Sequence, residues 1–271
     1  MTVRLTIASQ KGGSGKTTAA LNLSLAFSEK GHRTLLVDLD PQGGIGHALR
    51  KGETEMPGVA DALMQACTPE QALVHTKLPG LTLLPRGRLD PVDACEFERA
   101  LLGPGVLEGL VRSVEGDFDL VVLDTPSGVG MPTRAALAVS QFALVPVQAE
   151  PLALRGVQQI LRVIEHVRYH ENPRLQLLGL LPSMVDRDSD VSMGVLVAAW
   201  RDLCGVLETT IPRAAVFAKA SEAGVPVGYL AGPPSPEARR FGILATEVYG
   251  LIRDRYQEAT EDVERPARQL L

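Results

Sequence analysis

The sequence predicts an α/β fold: a doubly wound, mostly parallel sheet flanked by helices. Short apolar runs alternate with helical patterns along nearly the whole chain, the order that builds strand–helix–strand units. Several runs are continuous rather than alternating, as strands are when helices cover both faces of a sheet. A glycine-rich turn, Gly12-Gly13-Ser14-Gly15, joins the first apolar run directly to the first helical pattern. In open sheets of this kind ligands sit at the C-terminal ends of the strands, where that turn lies.

Taken in order, buried strands are read at 3–8, 35–39, 81–84, 120–123, 143–147 and 175–181. Helices are read at 17–30, 58–75, 93–114, 130–140, 153–170, 190–204 and 236–259. The last one has a clear start, with Ser235 placed as N-cap and Pro236 at the first helical position. Its Phe241, Leu244, Val248 and Leu251 recur at helical spacing and should pack on the sheet. Loops at 52–54 and 103–105 are too short to divide domains. One domain over 1–260 is expected, with 261–271 as a charged, flexible tail.

At 271 residues, 45% hydrophobic and 22% charged, the chain has the composition of a globular protein large enough to bury a proper core. No apolar stretch approaches the roughly 20 residues that span a bilayer. Strand pattern begins at Val3, which leaves no room for a signal peptide. Cys67, Cys95 and Cys204 are far apart with no C-x-x-C, against a disulfide framework or zinc knuckle and in keeping with a reducing cytoplasm. A formal charge of −5 means that any nucleic-acid contact must use a local basic patch. His166 and His170 lie four apart on a helix, but without a third ligand a solvated face is the better reading.

The chemistry is concentrated at the first turn, Ser9-Gln-Lys-Gly-Gly-Ser-Gly-Lys-Thr-Thr18. Glycines let main-chain N–H groups curl round an anion, and the following helix N-terminus favours negative charge. Gly12, Gly13, Ser14, Gly15, Lys16, Thr17 and Thr18 are therefore the candidate cradle for the phosphates of a nucleotide bound with Mg²⁺. Lys16 can reach the terminal phosphates and the Thr17 hydroxyl can sit on magnesium. Two carboxylates, Asp38 and Asp40, leave the second strand beside this site, and the strand at 120–123 ends in Asp124. Asp38 is read as capping the next turn, Asp124 as a ligand in the magnesium shell.

The run K-G-G-x-G-K-T-T, with Lys11 before the glycine pair and Gln10 where a glycine is usual, resembles the deviant Walker A box of the ParA/MinD ATPases. Asp38-Leu-Asp40-Pro-Gln42 resembles that family's D-x-D-P-Q switch I. Asp124-Thr-Pro-Ser127 resembles switch II with Ser127 replacing a second proline. The resemblance runs from Val3 to about Ile252 and is thin between 50 and 115, where partner specificity would lie. It implies that Lys11 crosses an ATP-dependent homodimer interface to the partner's nucleotide. It implies that Asp40 activates the attacking water and joins Thr17 and Asp124 in holding the metal. Met184 and Pro212 would lie by the base, and Arg201, Arg213, Lys219, Arg239 and Arg240 would face DNA phosphates.

The function so implied is a ParA-type ATPase that binds double-stranded DNA non-specifically and is reset when a ParB-like or other cargo adaptor stimulates hydrolysis. Such a protein segregates chromosomes or plasmids, or positions cargo, and is cytoplasmic and nucleoid-associated when ATP-bound. A MinD-like membrane-cycling regulator is the first alternative, opposed by the acidic, proline-containing C-terminus. A small-substrate enzyme of the same fold, such as a dethiobiotin synthetase or cobyrinic-acid-type amidotransferase, is the second. Those lack the paired-lysine box in its full form. A cluster held as in the nitrogenase iron protein is rejected, because 125–130 contains no cysteine.

Overall fold

A computed structural model describes residues 2–48, 56–151, 153–233 and 235–264. Seven strands among them form one sheet: β1 (Val3–Ile7), β2 (Thr34–Asp38), β3 (Val74–His75), β4 (Leu81–Leu84), β5 (Leu120–Asp124), β6 (Phe142–Gln148) and β7 (Gln176–Ser183). Their order is β3-β4-β2-β5-β1-β6-β7, parallel throughout except for β3 against β4. The helices are α1 (Lys16–Glu29), α2 (Gly44–Ala48), α3 (Val59–Leu63), α4 (Ala94–Leu101), α5 (Val106–Val114), α6 (Met131–Val139), α7 (Ala153–His170), α8 (Asp190–Asp202), α9 (Ala215–Ala223) and α10 (Pro236–Glu264). The chain moves from β1 toward β2 on one side and later to β6 on the other, so the sheet has its topological switch point at β1.

The continuous apolar strands are covered on both faces, as their composition requires. On β2, Leu36 joins the cluster formed with α1 and α10, while Leu35 and Val37 join the opposite cluster with α4, α5 and α6. A third cluster seats Val157, Ile160, Ile164 and Val167 of α7 over Ala143 and Val145 of β6. Helix α1 is buried from Ala19 to Ser28, and its Asn22 is satisfied there by Thr18 O (2.8 Å) and Val227 N (2.9 Å). Phe241, Leu244 and Val248 of α10 are buried in the same cluster, with Leu251 packed against it.

Ser235 caps α10 as expected, its Oγ accepting from Ala238 N at 3.1 Å. The single helix expected over 58–75 does not form. Helix α3 stops at Leu63, Gln65 adopts φ 58, and after one 3₁₀ turn at Glu70–Ala72 the chain becomes β3. Pro69 explains the break, because it lacks an N–H and disfavours helix at Thr68. The helix expected over 93–114 is two helices, divided at Gly103-Pro104-Gly105, where Gly105 has φ 71 and begins α5. Helices α2 and α9 and strand β3 have no counterpart among the elements expected from sequence. The loop read at 52–54 and the tail beyond Glu264 lie outside the described residues.

Segment 85–88 is packed against the start of α3 with no spare room. Val59 N and Ala60 N donate to the carbonyl oxygens of Pro85 (2.9 Å) and Arg86 (2.8 Å), and a Cβ on Gly58 would lie 2.2 Å from Pro85 O. Gly58→Ala should therefore destabilise the protein by about 2–3 kcal/mol. Gly109→Ala, on an exposed part of α5 with nothing within 4 Å, should be neutral or stabilising by up to about 1 kcal/mol. Urea unfolding of both variants checks the contrast.

Candidate nucleotide-binding site

The phosphate loop leaves β1 between the ends of β5 and β6. Gly13 and Gly15 sit in the left-handed region at φ 72 and 83, which side-chain-bearing residues seldom adopt. Two outward ties fix the turn: Gln148 Nε2 donates to Gly13 O and Ser183 Oγ to Ser14 O, each at 2.8 Å. With those carbonyls engaged, the amides leading into α1 remain for an anion. Ser14 Oγ and Gln148 Oε1 are buried without hydrogen-bond partners.

Lys16 is 6% exposed and its Nζ reaches Ser127 Oγ at 3.1 Å. Among the described residues it forms no ion pair, and burial lowers its pKa against the pull of Asp124 and Asp40. A buried ammonium without a paired anion is costly, so the position suits a ligand that brings negative charge.

The metal chemistry is a second uncompensated group. Asp38 and Asp124 end neighbouring strands in register, Asp38 opposite Asp124 and Asp124 opposite Ile7. Both carboxylates are fully buried. Asp38 accepts from Asp40 N (3.0 Å) and Ile45 N (3.1 Å), which is the capping role read from sequence. Burial nevertheless pushes its pKa up to about 7. Burial first, then the Asp38 charge, pushes Asp124 well above its ordinary value. Among the described residues neither Asp124 oxygen meets a donor at good hydrogen-bonding geometry, although the nearby Thr17 hydroxyl and Lys16 favour its ionised form. Two empty carboxylate oxygens beside a hydroxyl form a donor set that suits a hard divalent cation. The residues fit Mg²⁺.

Asp40 follows on the loop before α2, its Oδ1 accepting from Gln42 N at 2.9 Å. That loop passes close to the metal side: a Cβ on Gly44 would lie 2.9 Å from Thr17 Oγ1. Met184, at φ 53, and Pro212 line one cleft with Gly15, Thr18, Phe217 and Phe241. They are brought together by pairing of Val185 with the 211–213 segment beyond the edge of β7. The cleft continues from the phosphate loop and is apolar, as a base requires.

Lys11 does not turn into this cluster. Its Nζ lies 2.7 Å from Glu150 Oε2, and the other oxygen of Glu150 holds Arg213 at 3.1 Å. Of the remaining basic residues, Arg201 is paired with Asp202 and Arg240 Nη1 donates to Thr210 O at 3.1 Å. Lys219 and Arg239 are exposed. Sequence reasoning missed Gln148, Ser183 and Glu150 as parts of the site, and read Ser127 only as the replacement of a second proline. Gln148 and Ser183 close adjacent parallel strands, a position that marks ligand-proximal residues in this architecture.

The fold and the loop define a P-loop NTPase. An AAA domain family model (AAA_31) matches residues 2–177. The chain is 40% identical over 254 residues to the chromosome-partitioning ATPase Soj of Thermus thermophilus, covering 93% of this chain and 97% of that one. It is 34% identical over 265 residues to the chromosome partitioning protein ParA of Caulobacter vibrioides, covering 94% and 97%. The crystal structure of cobyrinic acid a,c-diamide synthase from Mycobacterium smegmatis, with bound ADP and magnesium, superposes with TM-score 0.75 at 34% identity. That likeness covers 91% of this chain and 93% of the other. The chain belongs to the ParA/MinD family of P-loop ATPases, and its ligands are ATP and Mg²⁺.

The carboxylate pair sets a pH dependence. The unfolded chain releases an aspartate proton near 3.8, whereas folded Asp38 keeps one to about 7. Between those values the folded state binds more protons, so raising pH through the window removes stability. Thermal melting of the ligand-free protein should fall as pH rises from about 5 to about 7. Asp124→Asn should flatten that slope and abolish any stabilisation by Mg²⁺–ATP. Melting curves with and without Mg²⁺–ATP test both.

Proposed function

We propose that this ATPase closes into an ATP-dependent homodimer that binds double-stranded DNA without sequence preference. A ParB-like or other adaptor would then stimulate hydrolysis and reset it, in chromosome or plasmid segregation or cargo positioning. The observation that carries this reading is the placement of Lys11. It stands on the phosphate loop, is half-exposed, and among the described residues is held only by a surface ion pair with Glu150. Such pairs contribute about 0–1 kcal/mol, so exchange for a partner's triphosphate is readily favourable. ATP can drive dimerisation only by binding the dimer more tightly than the monomer, and Lys11 supplies that differential contact.

Within one subunit, Lys16 and the loop amides orient the β- and γ-phosphates. Asp40 orients a water for in-line attack on the γ-phosphorus and accepts its proton as the bond to ADP breaks. Thr17 and Asp124, with Asp40 nearby, would hold Mg²⁺, which when bound would supply positive charge against the phosphate oxygens. Met184 and Pro212 hold the base. Lys219 and Arg239 are offered to DNA, while Arg213, Arg201 and Arg240 are engaged by Glu150, Asp202 and Thr210 in this structure. On this reading the protein works in the cytoplasm, on the nucleoid when ATP-bound.

A second reading, an enzyme acting on a small substrate, is favoured by the likeness to the cobyrinic acid a,c-diamide synthase of Mycobacterium smegmatis. ATP turnover separates the two. DNA should accelerate it under the first reading, cobyrinic acid with glutamine under the second.

A gel shift on unrelated DNA should show retention with ATP and none with ADP or without nucleotide, weakening as salt rises. Lys16→Ala should abolish it, Asp40→Ala should leave a persistent dimer on size exclusion, and Lys219→Glu should reduce retention while preserving dimerisation. Retention equal in all three nucleotide states would reject the switch. Glu150→Gln frees Lys11, so dimerisation should need less ATP, by about fivefold at most.

A further inference from the structure

Arg86 has no counterpart among the motifs of the phosphate site, yet its side chain lies in switch I. Strand β4 runs parallel to β2 with Leu84 level with Val37, so the chain leaving β4 emerges beside the chain carrying Asp40. Arg86 Nη1 donates to the Pro41 carbonyl oxygen at 2.8 Å, and its Nε to the Gly87 carbonyl oxygen at 3.1 Å. The guanidinium lies against Gly43, which has φ 67; a Cβ there would come 3.3 Å from Nε and 3.4 Å from Cζ. Both ends of the Asp40 turn are thereby gripped, one through Pro41 and the other through Gly43.

The turn between those points is short and ordered around Asp40. Gly43 N donates to Asp40 O at 2.8 Å, Gln42 N to Asp40 Oδ1 at 2.9 Å, and Asp40 N to Asp38 Oδ1 at 3.0 Å. Among the described residues Arg86 forms no direct ion pair: its donors are spent on backbone carbonyls, and its charge acts at longer range on the buried Asp38 carboxylate, favouring the ionised form. Its own backbone is held from behind. Ala60 N donates to Arg86 O, and buried Asp61 binds Gly58 N, Arg88 N and Arg88 Nε at 2.9, 2.9 and 2.7 Å.

We propose that Arg86 is a positioning residue for hydrolysis: it braces the Pro41–Gly43 backbone so that the Asp40 carboxylate is presented to the phosphate site. The brace is anchored on α3, which gives residues 58–61 an influence on turnover although none of them lines the phosphate loop. This rests on Asp40 acting as the water-orienting carboxylate.

The test is single-turnover hydrolysis of ATP with Mg²⁺ by the full chain, alongside affinity for a fluorescent ATP analogue. The variants are R86M, R86K, D40A and the double variant D40A/R86M. R86M should slow hydrolysis about tenfold, the scale on which misplaced catalytic groups act, with affinity within about twofold of wild type. R86K should fall between, since it keeps the charge and one donor. In the D40A background R86M should slow nothing further. Wild-type turnover in R86M beside a slow D40A rejects the brace and leaves Asp40 in its role. Equal slowing by R86M in both backgrounds, or a parallel loss of affinity, also rejects it. Wild-type turnover in D40A removes the role of Asp40, and the role of Arg86 with it. If R86M is recovered unfolded, R86K decides, and a wild-type rate from it overturns the proposal.

Discussion

Buried charge without a protein partner is the constraint around which this molecule is arranged. The Asp124 carboxylate ends a central strand with both oxygens unpartnered, and the Lys16 ammonium is buried nearby with one serine hydroxyl for company. Left alone, each group is driven toward its neutral form, which is why their pKa values move in opposite directions. A magnesium nucleotide answers both at once, with a cation for the carboxylate and an anion for the ammonium. The ligand-free fold thus carries an electrostatic deficit that its ligand relieves.

The surrounding structure holds that deficit in place. Register between β1, β5 and β2 sets Ile7, Asp124 and Asp38 side by side, so the phosphate loop must open over both carboxylates. Gln148 and Ser183 secure the loop from the β6 and β7 side, and Arg86 secures switch I from the β4 side. Every one of these supports comes from the C-terminal end of a strand, or just beyond it. A rigid sheet therefore delivers precision to a site made almost entirely of loops.

Lys11 and Glu150 show a different principle. Their contact is exposed and weak, and it joins the phosphate loop to Arg213 through one carboxylate. A contact of this kind suits the exchange of partners proposed for Lys11, whereas the buried groups suit a site that keeps its shape.

The phosphate loop, Asp40, Asp124 and the parallel sheet were legible in the sequence because each is a local pattern: glycines at fixed offsets, or an apolar run ending in a carboxylate. Residues 58–75 were misread because apolar spacing suggested one helix where Pro69 and the β4 edge dictated a turn and an antiparallel strand. Glu150, Gln148 and Arg86 could not be assigned from their neighbours in the chain. Each acts on a residue at least 45 positions away, brought close only when strands pair. The chemistry of the ligand and the class of the fold could be read from the residues in order, since backbone conformation and burial pattern are written locally. The partners of Arg86 and Lys11 came only from the folded chain, because those contacts depend on strand order, which no short-range pattern encodes.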